Sequence, residues 1–270
     1  MSLYNALQLE SIELAQALIM EGRVMAGDRK VRHVGELLNE GERLRVKGKL
    51  DPYVSRGAYK LKKALEVFHI DLQQKTCIDV GASTGGFTDV MLRAGAARVY
   101  AVDVGYNLLD YRLRSDPRVT CLERTNARFL SANDFSPKPT FGATDVSFIS
   151  LKMVLPPALY VLEADRSASF VALVKPQFEA PKEEVGEKGV VRDRQVHESV
   201  LREITEFVPS LGWKVSGLDY SPIRGPEGNI EFLLYITRSD NSDGAGFECS
   251  IDATICRAYD KFFKSSTEAL

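Results

Sequence analysis

From Thr76 onward, short apolar runs alternate with longer amphipathic or polar segments. Residues 76–81, 98–104, 119–123, 141–148, 169–175, 213–219 and 230–237 read as strands, and 87–94, 152–163 and 194–211 as helical or loop segments between them. That alternation predicts an α/β fold whose mostly parallel, doubly wound sheet is covered on both faces. Upstream, Leu9, Ile12, Leu14, Leu18 and Ile19 recur near helical spacing, and Gly22 stands where a C-cap glycine ends a helix. Residues 23–25 and 43–46 then read as strands of a small basic module. Pro52 biases its neighbours toward an extended linker. Ser55 is expected to cap a helix that buries Ala58, Leu61, Leu65 and Phe68 and leaves Lys62 and Lys63 solvated. After Ser239 the composition becomes linker-like (SDNSDGAG), followed by a helix pattern with Phe247, Ile251, Ile255 and Tyr259 every four residues.

The stretch Thr76–Phe87, TCIDVGASTGGF, joins a strand ending in an acid to a Gly/Ser-rich turn and a helix start. Glycines permit sharp bends and close backbone approach, and a helix start offers unpaired N–H groups. Asp79, Gly81, Ala82, Ser83, Thr84, Gly85, Gly86 and Phe87 are therefore candidate cofactor residues. Asp103 closes the next apolar run, at the offset where nucleotide-binding folds keep an acid for ribose hydroxyls. Asp79 stands two residues before Gly81, and Ser83 occupies the place of the second glycine of the dinucleotide fingerprint. A carboxylate facing a pyrophosphate within ~4 Å would cost on the order of 1 to 4 kcal/mol. A cationic ligand carrying an amino group and a sulfonium, S-adenosyl-L-methionine, suits that acid better. Ligands in such sheets lie beyond the carboxyl ends of the strands, which puts Asp79, Asp103, Asn126, Asp145 and Lys175 on one rim.

The chain of 270 residues suffices for one large α/β domain and a small extra one. Its net charge of −2 is unevenly spread: residues 22–63 hold 12 Lys+Arg against 5 Asp+Glu, an excess of +7. A basic segment on an otherwise acidic chain points to a polyanion partner. Cys77, Cys121, Cys249 and Cys256 have no metal-ligand or disulfide spacing; Cys77 and Cys121 lie in strand-like runs and read as small buried hydrophobes, which fits a reducing cytoplasm. No signal-type stretch and no run near ~20 apolar residues is present, so secretion and membrane insertion are not expected.

Lys60, Asp145 in TDVSF, Lys175 in ALVKPQF and Glu231 in GNIEFLL each place a charge in an apolar or strand-end context. Buried charges pair or point into a site, and two lysines with two carboxylates can satisfy one another. The segments YVSRGAYKL, DVGASTGGFTD, AVDVG, RTN, DVSFISL, LVKPQFE, GVVRD and SPIRGPEGNIEF resemble the TlyA family, known both as hemolysin A-like proteins and as ribosomal RNA 2′-O-methyltransferases with an FtsJ-like catalytic domain. The resemblance covers about residues 9–238. It implies a Rossmann-like seven-stranded methyltransferase sheet, S-adenosyl-L-methionine as cofactor, ribosomal RNA or ribosomal subunits as partner, and cytidine as the methylated nucleoside. It also implies a Lys-Asp-Lys-Glu tetrad at Lys60, Asp145, Lys175 and Glu231, with no metal required. ALIMEGRVMAG resembles the core of an S4-type RNA-binding domain, with Ala26-Gly27-Asp28 in place of the usual Asn-Gly turn, so this small domain is expected to be incomplete. The expected organisation is an S4-like module over 1–50, a linker and helix start over 51–59, the methyltransferase domain over 60–238, and a linker and tail over 239–270.

A ribose hydroxyl is a weak nucleophile and benefits from a positioned base. Lys175 is expected to be that base, Asp145 and Glu231 its orienters, and Lys60 the electrostatic partner. Three other classes compete. A membrane-active hemolysin requires an insertion segment that the sequence lacks, and a non-catalytic RNA-binding assembly factor would not need the tetrad. A dinucleotide oxidoreductase is disfavoured by Asp79 and the missing second glycine.

Overall fold

The computed structural model describes residues 12–20, 22–33, 35–36, 42–47, 52–164, 167–238 and 250–263. The expectations at Leu9, the 239–246 linker, Phe247 and Cys249 lie outside the described residues. The chain divides into two compact units, Met1–Pro52 and Tyr53–Leu270.

In the first unit, helix α1 (Ile12–Met20) precedes strands β1 (Val24–Ala26), β2 (Arg29–Lys30) and β3 (Leu44–Val46), which form an antiparallel sheet ordered β2-β1-β3. Gly22 has φ +67, and the amides of Gly22 and Arg23 return to the carbonyls of Ile19 and Leu18, ending α1 as its sequence predicts. Leu18, Ile19, Val24, Ala26 and Val31 form a small core. Arg29 is paired with Glu36 and Glu42, and Arg45 with Asp28, while Lys30, Arg32, Arg43 and Lys47 are exposed.

The second unit begins with helix α2 (Ala58–Val67), followed by β4 (Thr76–Val80), α3 (Gly86–Arg93), β5 (Arg98–Val102), β6 (Val119–Leu122), β7 (Phe141–Thr144), α4 (Leu151–Tyr160), β8 (Ser169–Val174), α5 (Arg194–Phe207), β9 (Trp213–Tyr220), β10 (Phe232–Arg238) and α6 (Ile251–Phe263). Its seven strands run β6-β5-β4-β7-β8-β10-β9, with β10 antiparallel to both neighbours. The predicted strands are borne out to within a few residues.

Alternation along each strand creates the two layers. Cys77, Val99, Ala101, Phe141, Ala143, Val171 and Leu173 pack toward α2 and α3, whereas Ile78, Val80, Tyr100, Val102, Phe170, Ala172 and Val174 pack toward α4, α5 and α6. Phe141, Phe170 and Phe232 are fully buried, and each such side chain contributes roughly 1.5 to 3 kcal/mol of transfer free energy. Helix α6 joins this core through Ile255 and Ala258. Cys77 is buried as predicted, but Cys121 is only half-buried because β6 is an edge strand.

At the start of α2 the structure corrects the sequence reading. Gly57 is the N-cap, without a side-chain capping bond, and Ser55 contributes only its carbonyl, to the Ala58 amide at 3.2 Å. Lys63 is not solvated either. Its Nζ lies 3.0 Å from Asp219 Oδ2, donates to the Tyr220 carbonyl at 2.6 Å and sits 3.4 Å above the Tyr220 ring.

Candidate active site

The sheet order reverses at β4, which pairs with β5 on one side and β7 on the other, so a crevice opens beyond its carboxyl end. The Gly-rich turn lies there. Gly81 (φ +84) donates to the Val102 carbonyl, and a Cβ on it would approach Val146 Cγ1 to 2.9 Å. Gly85 (φ +95) is the N-cap of α3, and a Cβ there would meet Leu113 Cδ1 at 2.3 Å. Both glycines thus answer to backbone conformation and to the protein's own side chains.

Asp79 Oδ2 accepts from the Thr88 amide at 2.8 Å and the Thr88 hydroxyl at 2.7 Å, so this acid caps α3 and occupies one of the helix-start amides that the sequence pattern offers to a ligand. Its Oδ1 is buried and has no hydrogen-bond partner. Burial pushes the carboxyl up to about 7, against the Thr88 bonds and helped by the nearby Asp145 and Asp103. Asp103 follows β5 and clamps the turn: Oδ2 accepts from the Ser83 amide and Oδ1 from the Gly105 amide, both at 2.7 Å. Asn126, beyond β6, uses its Oδ1 to accept from the Arg128 amide at 3.1 Å. Ala82 donates to the Val102 carbonyl, Thr84 accepts from the Asp110 amide, and Gly86 and Phe87 are buried in the first turn of α3.

Lys60, Asp145, Lys175 and Glu231 converge on the same rim. Asp145 follows β7 and Lys175 follows β8, parallel neighbours in the sheet. Pro176 disfavours helical backbone at the preceding residue, and Lys175 is extended (φ −113, ψ 101). Glu231 comes to this end because β10 is antiparallel to β8 with Phe232 opposite Val174. Lys60 lies on the buried face of α2, four residues before Ala64 on the same stripe.

Lys60 Nζ sits 3.0 Å from Asp145 Oδ2 and 2.8 Å from Glu231 Oε2; Lys175 Nζ sits 2.7 Å from Asp145 Oδ1. Burial opposes the charge on Lys60, but Asp145 and Glu231 outweigh it and hold the ammonium above its ordinary range. Burial likewise opposes the charge on Asp145, and the two lysines bring its carboxyl below the usual carboxylate range. For Glu231, fully buried, desolvation dominates and lifts the carboxyl. The upward direction on Lys60 makes it a fixed cation.

Two neighbours were not singled out from the sequence. Ser147 Oγ accepts from Lys175 Nζ at 2.9 Å. Phe148 adopts φ 64 and is 89% exposed, with its ring 5.1 Å from that of Phe178. The left-handed region is unusual for a bulky residue, and a large exposed aromatic beside a charged rim is a binding-surface signature. The available signal was their position, two and three residues past a strand-end acid.

The switch-point turn, its acids and this strand order define a Rossmann-like methyltransferase fold. Residues 53–238 match the FtsJ-like methyltransferase family, and the chain belongs to it. It is 46% identical over 205 residues to the 16S/23S rRNA (cytidine-2′-O)-methyltransferase TlyA of Mycobacterium tuberculosis, covering 75% of this chain and 76% of that one. It is 38% identical over 227 residues to Hemolysin A of Brachyspira hyodysenteriae, covering 84% and 93%. A solved structure from Streptococcus thermophilus that carries the name hemolysin has 43% identity and a TM-score of 0.77, covering 98% of this chain and 96% of that one. The resemblance to TlyA proteins is borne out.

Proposed function

We propose that this protein transfers a methyl group from S-adenosyl-L-methionine to the ribose 2′-oxygen of ribosomal RNA, with cytidine as the nucleoside, as the name of its mycobacterial relative indicates. The observation that carries this reading is the paired Lys60–Asp145–Lys175–Glu231 cluster on the rim that also holds the switch-point turn.

The residues fit the cofactor: the orphaned, buried Oδ1 of Asp79 is an acceptor for an amino group, and Asp103 keeps lone pairs for ribose hydroxyls beyond its two amide bonds. The turn from Gly81 to Phe87 lines the same crevice, and Asn126 stands beyond the next strand. Bound S-adenosyl-L-methionine supplies an electrophilic methyl carbon. On the protein's side, Lys175 Nζ would accept the proton of the 2′-hydroxyl while the methyl carbon exchanges its bond to the sulfonium sulfur for one to the 2′-oxygen, leaving S-adenosylhomocysteine. Asp145 orients both lysines, and Glu231 and Lys60 fix the charge behind them. Lys60 contacts two carboxylates and is held charged, whereas Lys175 contacts one carboxylate and a hydroxyl, which makes Lys175 the better base. Phe148 offers a face on which an unstacked target base can rest.

The first unit, whose stretch 22–52 holds 8 Lys+Arg against 5 Asp+Glu, supplies the S4-like RNA anchor in this reading, and the setting is cytoplasmic. No helix among the described residues is long and apolar enough to cross a membrane.

The test is to map 2′-O-methyl positions in ribosomal RNA from cells with and without the gene, and to assay Lys175→Ala and Lys175→Arg in vitro. Loss of a general base predicts a ~10²-fold or greater fall in kcat for Lys175→Ala with cofactor affinity kept. Lys175→Arg is expected to stay inactive, since a guanidinium does not accept the proton. An arginine variant at wild-type rate would mean that Lys175 is only a fixed charge.

A further inference from the structure

We propose that Ser147 is a positioning residue for this reaction, setting the direction in which the Lys175 nitrogen presents its lone pair. This rests on the reading of Lys175 as the base. A lysine nitrogen is tetrahedral, with Cε in one direction and three positions left for protons or a lone pair. Ser147 Oγ, hydrogen-bonded at 2.9 Å, claims one of those three, and Asp145 Oδ1, an ion-pair partner at 2.7 Å without a hydrogen bond, attracts a second electrostatically. In the neutral amine one N–H bond points at the Ser147 hydroxyl and the Asp145 carboxylate draws the other to its side, so the lone pair is turned toward the remaining direction, where the hydroxyl proton must arrive. With Asp145 alone, rotation about the Cε–Nζ bond would leave the lone pair free to sweep a cone.

The two partners of Lys175 are anchored differently. Asp145 is held from its other side by Lys60, at 3.0 Å from Oδ2. Ser147 is held by the backbone: it lies between Asp145, whose amide bonds the Val80 carbonyl at 3.3 Å, and Phe148, whose φ of 64 turns the chain sharply. Lys175 is buried and Ser147 exposed, so the hydroxyl stands on the solvent side of the buried amine. An incoming ribose therefore meets a nitrogen whose orientation is already fixed, and misplacing that nitrogen costs rate without costing affinity.

The experiment compares wild type, Ser147→Ala and Ser147→Thr in the full chain, on ribosomal subunits lacking the modification. Its readouts are kcat and KM for the subunit, S-adenosylhomocysteine affinity by calorimetry, and thermal unfolding. Ser147→Ala is expected to lower kcat by about tenfold, with KM, cofactor affinity and melting temperature unchanged, and Ser147→Thr to restore most of it. An alanine variant with wild-type kcat overturns the proposal, as does a threonine variant no faster than alanine. A loss accompanied by weaker cofactor binding or lower melting temperature also overturns it, because Ser147 would then be structural. A wild-type chain that transfers no methyl to 2′-oxygens would instead defeat the functional reading beneath it.

Discussion

Asp79 carries two jobs on one carboxylate: Oδ2 closes the first turn of α3 through Thr88, and Oδ1 is left buried and unpartnered. Burial raises this group from 3.8 to about 7, so between those values the folded chain keeps a proton that the unfolded chain has released. Its contribution to stability is therefore full below the unfolded value and is lost as pH rises through about 7. A cationic amine against Oδ1 favours the ionised form, so cofactor binding below that pH expels the proton. The expected result is an affinity for S-adenosylhomocysteine that increases from about pH 5.5 to about pH 7, with a binding enthalpy near pH 6 that depends on the ionisation enthalpy of the buffer. A buffer-independent enthalpy would mean that Asp79 does not meet the amine.

Helix α6 shows how an element lying beyond the family match at 53–238 supports the rim. Its Tyr259 hydroxyl lies 3.0 Å from His197 Nδ1 on α5 and donates to the Arg192 carbonyl at 2.8 Å, and Arg224 donates to the Phe262 carbonyl near its end. Burial pushes His197 down to about 4, from an ordinary 6.5. The unfolded chain binds more protons than the folded one between those values, so stability is full above 6.5 and falls as pH drops toward 4. His197→Phe is expected to flatten that dependence, read as a smaller gap between melting temperatures at about pH 4.5 and about pH 7.5; an unchanged gap would assign the acid sensitivity elsewhere. What the sequence reveals at this scale follows from periodicity. Strand ends are readable from apolar runs, so Asp145 and Lys175 are readable as rim residues, and Glu231 stands out as an acid ahead of an apolar run. Lys63 is not readable: helix patterning classes it with exposed Lys62, and only the return of β9, 157 residues later, brings the Tyr220 carbonyl to it. Ser55 has the right residue type for a cap, but the backbone starts the helix from Gly57. Phe148 carries no sequence mark of its left-handed backbone, because that conformation is imposed by the turn and not by the residue's own preference.

At the scale of the whole molecule, the basic segment crosses the boundary between the two units, while the candidate catalytic cluster lies wholly in the second. Residues 22–63 carry an excess of +7 in a chain whose net charge is −2, but that segment straddles the boundary. Residues 22–52 hold 8 Lys+Arg against 5 Asp+Glu, Arg56, Lys60, Lys62 and Lys63 belong to the second unit, and Glu10, Glu13 and Glu21 bring the first unit as a whole to 8 against 8. Within the first unit, Arg29 is tied to Glu36 and Glu42, and the outward cations include Lys30, Arg32, Arg43 and Lys47. If this unit is the RNA anchor, each phosphate it neutralises releases counterions, and affinity falls with salt in proportion to the number of contacts. About five contacts give a slope near −3.5 to −4.5 in log affinity against log salt, or a loss of roughly two to three decades between 50 and 200 mM. Removing residues 1–52 at the boundary between the units is expected to leave calorimetric cofactor binding intact while weakening RNA binding and flattening that slope toward zero. A truncated protein with the full slope would transfer the anchoring role to the exposed arginines of the second unit, Arg124 and Arg128, which sit against Tyr106 and Phe129 at 4.2 and 5.4 Å.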